Sequence, residues 1–231
     1  MLYRDYWKEV SAVLEHVMTT QAEKIEHCAK LVARSLAKDG MLYVFGCGHS
    51  HIIGEDLFYR AGGTAAVCAM LDSDLMLHTG AAKSSVYEKM SGLAQPVFER
   101  YGITDKDVLL VVSTSGINGV PVEMAMCAKE QGIPVIAIVS EAYWGDASRH
   151  PSGKKLHDVA DIVLETAFAT AMPRCRSAIP RCVSAPSPPF PPALLPRASW
   201  CRRMKICTKW ARSRPFMSAA IFPAAWRKTG I

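Results

Sequence analysis

Residues 107–118, D-V-L-L-V-V-S-T-S-G-I-N, limit the fold more than any other stretch of the chain. Val108 to Val112 is a short, continuous apolar run rich in β-branched residues. Such a run reads as a strand buried on both faces, as in parallel sheets. It passes directly into Ser113, Thr114, Ser115 and Gly116. Beyond Pro121, the spacing of Val122, Met124, Ala125 and Ala128 predicts a helix, with Glu123, Lys129 and Glu130 polar. The order is strand, hydroxyl-rich turn, helix start. There, free N–H groups point outward and the helix dipole favours an anion. Three hydroxyls, with a glycine that admits close backbone approach, make a phosphate cradle. The same residues would also serve an ordinary βα loop as helix caps.

The design occurs twice. Met41 to Phe45 is predicted as the first strand. It ends in Gly46-Cys47-Gly48-His49-Ser50-His51, and a helix is expected from about Ile52 to Ala61. G-x-G is present, but the third glycine of a dinucleotide fingerprint is misplaced, no acidic residue closes a second strand at the expected distance, and there is no G-K-[ST] of a Walker loop. A Gly-rich turn with Ser50 at a helix start fits a small phosphate ester better.

Further strands are predicted at Thr64–Leu71, at Pro134–Val139 and from Asp161 to Leu164. Helices are predicted over Met1–Ala37, over Val86–Tyr101 with a kink at Pro96, and for about one turn at Lys155–Val159. Thr20-Gln21-Ala22-Glu23 has capping-box spacing, so a second N-terminal helix is expected to start there. The fold class is therefore α/β: a doubly wound parallel sheet with right-handed crossovers, preceded by helices. Ligands in such sheets sit beyond the strand C-termini, where strand order reverses. Asp72-Ser73-Asp74 could hold a cation, but capping or solvent exposure is the preferred reading. No metal and no other cofactor is expected.

Composition matters because it is split. The chain carries a formal charge of +6, yet all 21 acidic residues lie at or before Glu165, against 15 Lys and Arg there, a net of −6. Residues 166–231 hold 12 Lys and Arg and no acid. No secretory signal is visible, since Asp5, Lys8 and Glu9 interrupt the first apolar residues. No apolar run reaches membrane-spanning length. Cys28, Cys47, Cys68 and Cys127 show no CxxC spacing and read as reduced thiols of a cytoplasmic protein.

Gly46-x-Gly48-x-Ser50-x-x-Ile53-Gly54, followed by Ser113-Thr114-Ser115-Gly116-x-Asn118, resembles the SIS (sugar isomerase) domain family, which binds phosphosugars. The stretch from Ser148-Arg149-His150-Pro151 to Leu164 is similar to an uncharacterised sugar-isomerase-domain branch near the phosphoheptose isomerases. The resemblance covers roughly residues 1–165. It implies a flavodoxin-like three-layer sandwich and a phosphosugar site of Gly48, Ser50, Ser113, Thr114, Ser115, Gly116 and Asn118. It also implies a homodimer or tetramer. Aldose–ketose isomerisation needs a base near neutral pKa. Glu55, His49 and His51 are the candidates, each with an alternative as a surface or loop-shaping residue. Phosphoheptose isomerases carry a carboxylate about three turns into this helix. Arg60 stands nearest here and departs from that pattern. A non-catalytic phosphosugar sensor is therefore the rival reading.

The tail, 166–231, has ten of the 14 prolines, no His or Tyr, and one glycine, Gly230. Pro188 to Pro192 forbids the closing helix that a SIS domain should have there. Cys175, Cys182, Cys201 and Cys207 fit no zinc spacing. A genuine basic disordered tail would bind acidic partners, and its DNA binding would weaken with salt and vanish on truncation at Glu165. A frameshift near residue 165 is the favoured reading. Back-translation in one consistently shifted frame allows strings with acids, glycines and β-branched residues in ordinary proportion. Nucleic acid is then not the expected partner, and the coding DNA decides between the readings.

Overall fold

The computed structural model describes residues 2–166. Two N-terminal helices, α1 (Leu2–Thr20) and α2 (Ala22–Leu36), precede β1 (Leu42–Gly46). α3 (Ile52–Leu57), β2 (Val67–Met70), α4 (Ala81–Tyr87), α5 (Ala94–Tyr101), β3 (Val108–Val112) and α6 (Gly119–Glu130) follow. β4 (Val135–Val139), α7 (Leu156–Val159) and β5 (Ile162–Glu165) complete the described part. All strand pairs are parallel, in the order β2-β1-β3-β4-β5. The chain moves from β1 to β2 on one side and then to β3 on the other. The reversal of strand order therefore lies between β1 and β3.

The strands are continuous apolar runs because both of their faces are covered. On one face Tyr43, Phe45, Leu109, Val111, Ala137 and Val139 pack with Phe98 of α5 and Met124 of α6. On the other, Val44, Leu110, Val112, Ile136 and Ile138 pack with Ile25, Cys28 and Val32 of α2. The three-layer sandwich is as expected from the period-2 alternation of neighbours within each strand. Burial raises the Cys28 thiol to about 11.

Two aspartates set the strand starts. Asp107, just ahead of β3, accepts from the Met41 amide at 2.7 Å beside β1, and from the Thr104 amide and hydroxyl. Asp161, just ahead of β5, accepts from the Val135 amide at 2.8 Å, where β4 begins. Each carboxylate thus satisfies a backbone amide where a neighbouring strand begins.

Several element boundaries differ from the sequence expectation. The expected capping box at Thr20 does not form: the Thr20 hydroxyl donates back to the His16 carbonyl, and Gln21 precedes α2 without a side-chain cap. α3 stops at Leu57, because Phe58 is already extended. The helix expected over Val86–Tyr101 is divided. Gly92 has a positive φ of 86°, and Glu123 of α6 accepts from the Gly92 and Ala94 amides, starting α5 afresh. Pro96 sits in the first turn of α5, where its missing N–H costs nothing, so it makes no kink. The basic tail and its frameshift reading lie outside the described residues. Among the described residues no helix is long and apolar enough to cross a membrane.

Candidate functional site

Register brings the two small-residue turns together. Gly46 of β1 is paired with Val112 of β3, so the turns leave adjacent strands, about 5 Å apart, at the reversal of strand order.

The first turn is a tight one. A short 3-10 segment, Gly48–His51, leads into α3, and the Ser50 amide donates to the Cys47 carbonyl at 3.0 Å. Gly46 is required by this geometry. A Cβ there would lie 2.6 Å from the Ser50 carbonyl carbon and 2.9 Å from the His51 nitrogen. We expect Gly46→Ala to cost about 1–3 kcal/mol by overpacking and to displace Ser50. A lower melting temperature together with weaker ligand binding checks this. An unchanged melting temperature would contradict it.

The second turn separates the predicted residues into two kinds. Ser113 is buried, at 7% exposure, and its hydroxyl accepts from the Gly116 amide at 3.1 Å. Gly116 adopts a φ of 64°, packs against Val139 and Leu156, and accepts from the Leu156 amide. Asn118 is buried, and its side-chain oxygen accepts from Arg149 at 2.5 Å. These three shape the loop. Ser50, Thr114 and Ser115 are half-buried, and their hydroxyls make no hydrogen bond to a described residue. They are the donors left over for a ligand.

The helix start itself is less available than its sequence implies. The first turn of α6 is buried, Pro121 has no N–H, and the Val120 amide donates to the Glu88 carbonyl at 3.0 Å. The donors left uncommitted are therefore in the loop ahead of α6 and not among its terminal amides. Gly119 permits this packing, since a Cβ would come within 2.8 Å of the Met90 carbonyl oxygen.

Two groups near the loops were not singled out from sequence. Arg149 reaches Asn118 from the polar segment after β4, and its own amide donates to the Ile117 carbonyl at 2.8 Å. Its guanidinium is thereby held at Asn118, at the end of the second turn. Glu88 follows α4, and its charge acts on the buried Cys47 in the first turn. Burial raises the Glu88 carboxyl, opposed by Lys89 and Arg149. No spacing rule finds either residue, because each reaches the loops from a separate segment.

The raised Glu88 carboxyl has a measurable consequence. A carboxyl raised on folding contributes stability below its unfolded value and loses it as pH rises through the folded one. Glu88→Gln should therefore be more stable than the parent at neutral pH. That advantage should disappear once pH falls below the ordinary carboxylate range. Thermal denaturation across pH checks this, and a pH-independent difference would contradict it.

Of the proposed catalytic residues, His51 is buried at 4% exposure, with Nδ1 against the Gly48 carbonyl and Nε2 3.5 Å from Glu55 Oε1. Glu55 and His49 are exposed. Asp72 caps the Asp74 amide at 3.0 Å and pairs with Arg100, while Asp74 pairs with Lys83. The acidic pair thus caps and forms surface ion pairs, as the preferred reading had it. Arg60 lies past the end of α3 in an exposed pair with Asp56.

Residues 5–140 match the SIS domain family. A UPF0309 protein of Caldanaerobacter subterraneus subsp. tengcongensis is 48% identical over 162 residues, which is 69% of this chain and 66% of that protein. A UPF0309 protein of Halalkalibacterium halodurans is 43% identical over 164 residues, 71% of this chain and 68% of that protein. The matched stretch thus spans about two thirds of these relatives' length. Among solved structures, a phosphoheptose isomerase from Francisella tularensis superposes with a TM-score of 0.52 at 19% identity, covering 76% of this chain and 95% of that one. The phosphoheptose isomerase GmhA from Neisseria gonorrhoeae gives 0.50 at 18% identity, covering 75% and 94%. At those identities the likeness is one of fold. The parallel sheet, the paired turns at its reversal point and the sequence match together place this chain in the SIS-domain family.

Proposed function

We propose that this chain binds a phosphorylated sugar across the turns that follow β1 and β3. One observation carries the reading. Three hydroxyls, of Ser50, Thr114 and Ser115, stand uncommitted at the reversal of strand order. Hydroxyl donors and a nearby guanidinium suit a phosphate monoester, which offers several strong acceptors and a double negative charge. Names of structural relatives point the same way, since the two described above are phosphoheptose isomerases. Calorimetric titration with a sugar phosphate, the same sugar without phosphate, and inorganic phosphate tests the reading. Binding of the phosphorylated sugar well above either control supports it. Equal binding of the unphosphorylated sugar refutes it.

Isomerisation is the reaction we assign if turnover exists. A base must take a proton from the carbon beside the carbonyl and return it to the neighbouring carbon. Glu55, His49 and His51 were the sequence candidates. Glu88, raised by burial and close to the first turn, is a further one. Loss of turnover in Glu88→Gln with ligand affinity retained would place the base there. The rival reading is a phosphosugar sensor, favoured by Arg60 lying outside α3 in a surface pair. Binding without isomerisation in the parent protein decides for it. We also propose that the chain is a homo-oligomer, with the exposed Trp7 of α1 and Tyr59 as contact residues.

A further inference from the structure

At the end of the first turn, one cluster of side chains takes no part in the proposed hydroxyl cradle. His51 and Glu55 stand one helical turn apart at the start of α3, and His78 reaches them from the short 3-10 turn Leu77–Thr79 after β2. Their ligand atoms all lie within 4.8 Å of one another. The two imidazoles are tilted by 51°, with ring centres 5.3 Å apart.

We propose that His51, Glu55 and His78 form a binding site for one borderline divalent cation, Zn2+ by preference. Two imidazoles and a carboxylate are a three-ligand set that leaves a coordination position open. Imidazole nitrogen selects zinc-like ions over magnesium or calcium. A tetrahedral zinc with bonds of about 2 Å needs ligand atoms roughly 3.3 Å apart. The His51–Glu55 separation, 3.5 Å, is already close to that. His78 is exposed, so its side chain is free to close the remaining gap.

A second observation concerns the tautomer of His51. Its Nδ1 lies against the Gly48 carbonyl, which can only accept. Nδ1 therefore carries the proton, and the lone pair of the neutral ring is on Nε2, which faces Glu55. This is the arrangement by which proteins orient a metal-binding histidine: one ring nitrogen donates to a backbone carbonyl and the other is left for the ion. A His51–Glu55 ion pair alone accounts for two of the three groups and leaves the approach of His78 without a reason. The site does not depend on sugar-phosphate binding. It adds a Lewis acid beside Ser50, and it assigns to His51 and Glu55 a role other than proton transfer.

The test is Zn2+ titration of the full chain, freed of metal by a chelator, against the single variants Glu55→Gln and His78→Gln. Both residues are exposed, so folding is not at stake, whereas His51 is buried. One ion should bind, each substitution should weaken it at least tenfold, and excess Mg2+ should not compete. Co2+ in place of Zn2+ should show ligand-field bands without thiolate charge transfer. No binding, or affinity unchanged in both variants, overturns the proposal. Thiolate charge transfer also overturns it, since the ion would then sit on cysteine.

Discussion

Replacing Ser50 and Ser115 together with alanine should lower affinity for a sugar phosphate by about a hundredfold or more. Each hydroxyl that donates to a charged acceptor contributes roughly 1.5–3 kcal/mol, so losing two removes at least about 3 kcal/mol, or two decades in Kd. The melting temperature should stay close to that of the parent, because neither hydroxyl bonds to a described residue. That separation of affinity from stability is the distinctive outcome. Ser113→Ala should behave in the opposite way. Its hydroxyl holds the Gly116 amide in a buried turn, so stability falls and the loop loosens. Titration calorimetry and thermal denaturation of the three proteins check both statements. Sugar-phosphate affinity within about threefold of the parent in the double variant would remove the basis of the assignment.

The second large effect concerns stability alone. Asp107→Ala should destabilise the domain by about 3–5 kcal/mol and lower its melting temperature by roughly 10 °C. Asp107 is buried, and its two oxygens accept from the Met41 amide, the Thr104 amide and the Thr104 hydroxyl. Alanine leaves all three donors without their acceptor, and two of them are backbone amides. Asp107→Asn keeps one acceptor oxygen and should fall between the parent and alanine. Asp161→Ala should cost less, because Asp161 is more exposed and serves one backbone amide. Chemical denaturation of the four proteins ranks them. A ranking with Asp161→Ala below Asp107→Ala would contradict the argument.

Much of this could be read from residues 107–118 and 41–51. Continuous apolar strands, each running into Gly, Ser and Thr before a helix, required a parallel sheet with its ligand end at those turns. The resemblance on the same residues named the family. Helix interruptions were harder to read. The pattern over Val86–Tyr101 looked like one helix because its apolar spacing continues across Gly92. The break depends on Glu123, from a helix that comes later in the chain, accepting the amides of Gly92 and Ala94.

Sequence by itself determined the α/β class, the two loops, and which residue types those loops carry, because strand periodicity and turn chemistry act between neighbours in the chain. Only the tertiary structure decided which hydroxyls remain uncommitted. It buried Ser113 and Asn118 into loop-shaping bonds, placed Arg149 and Glu88 beside the loops, and joined His78 to His51 and Glu55. Those pairings bridge segments far apart in the chain, and a side chain's bonding and charge state depend on whatever folding sets against it.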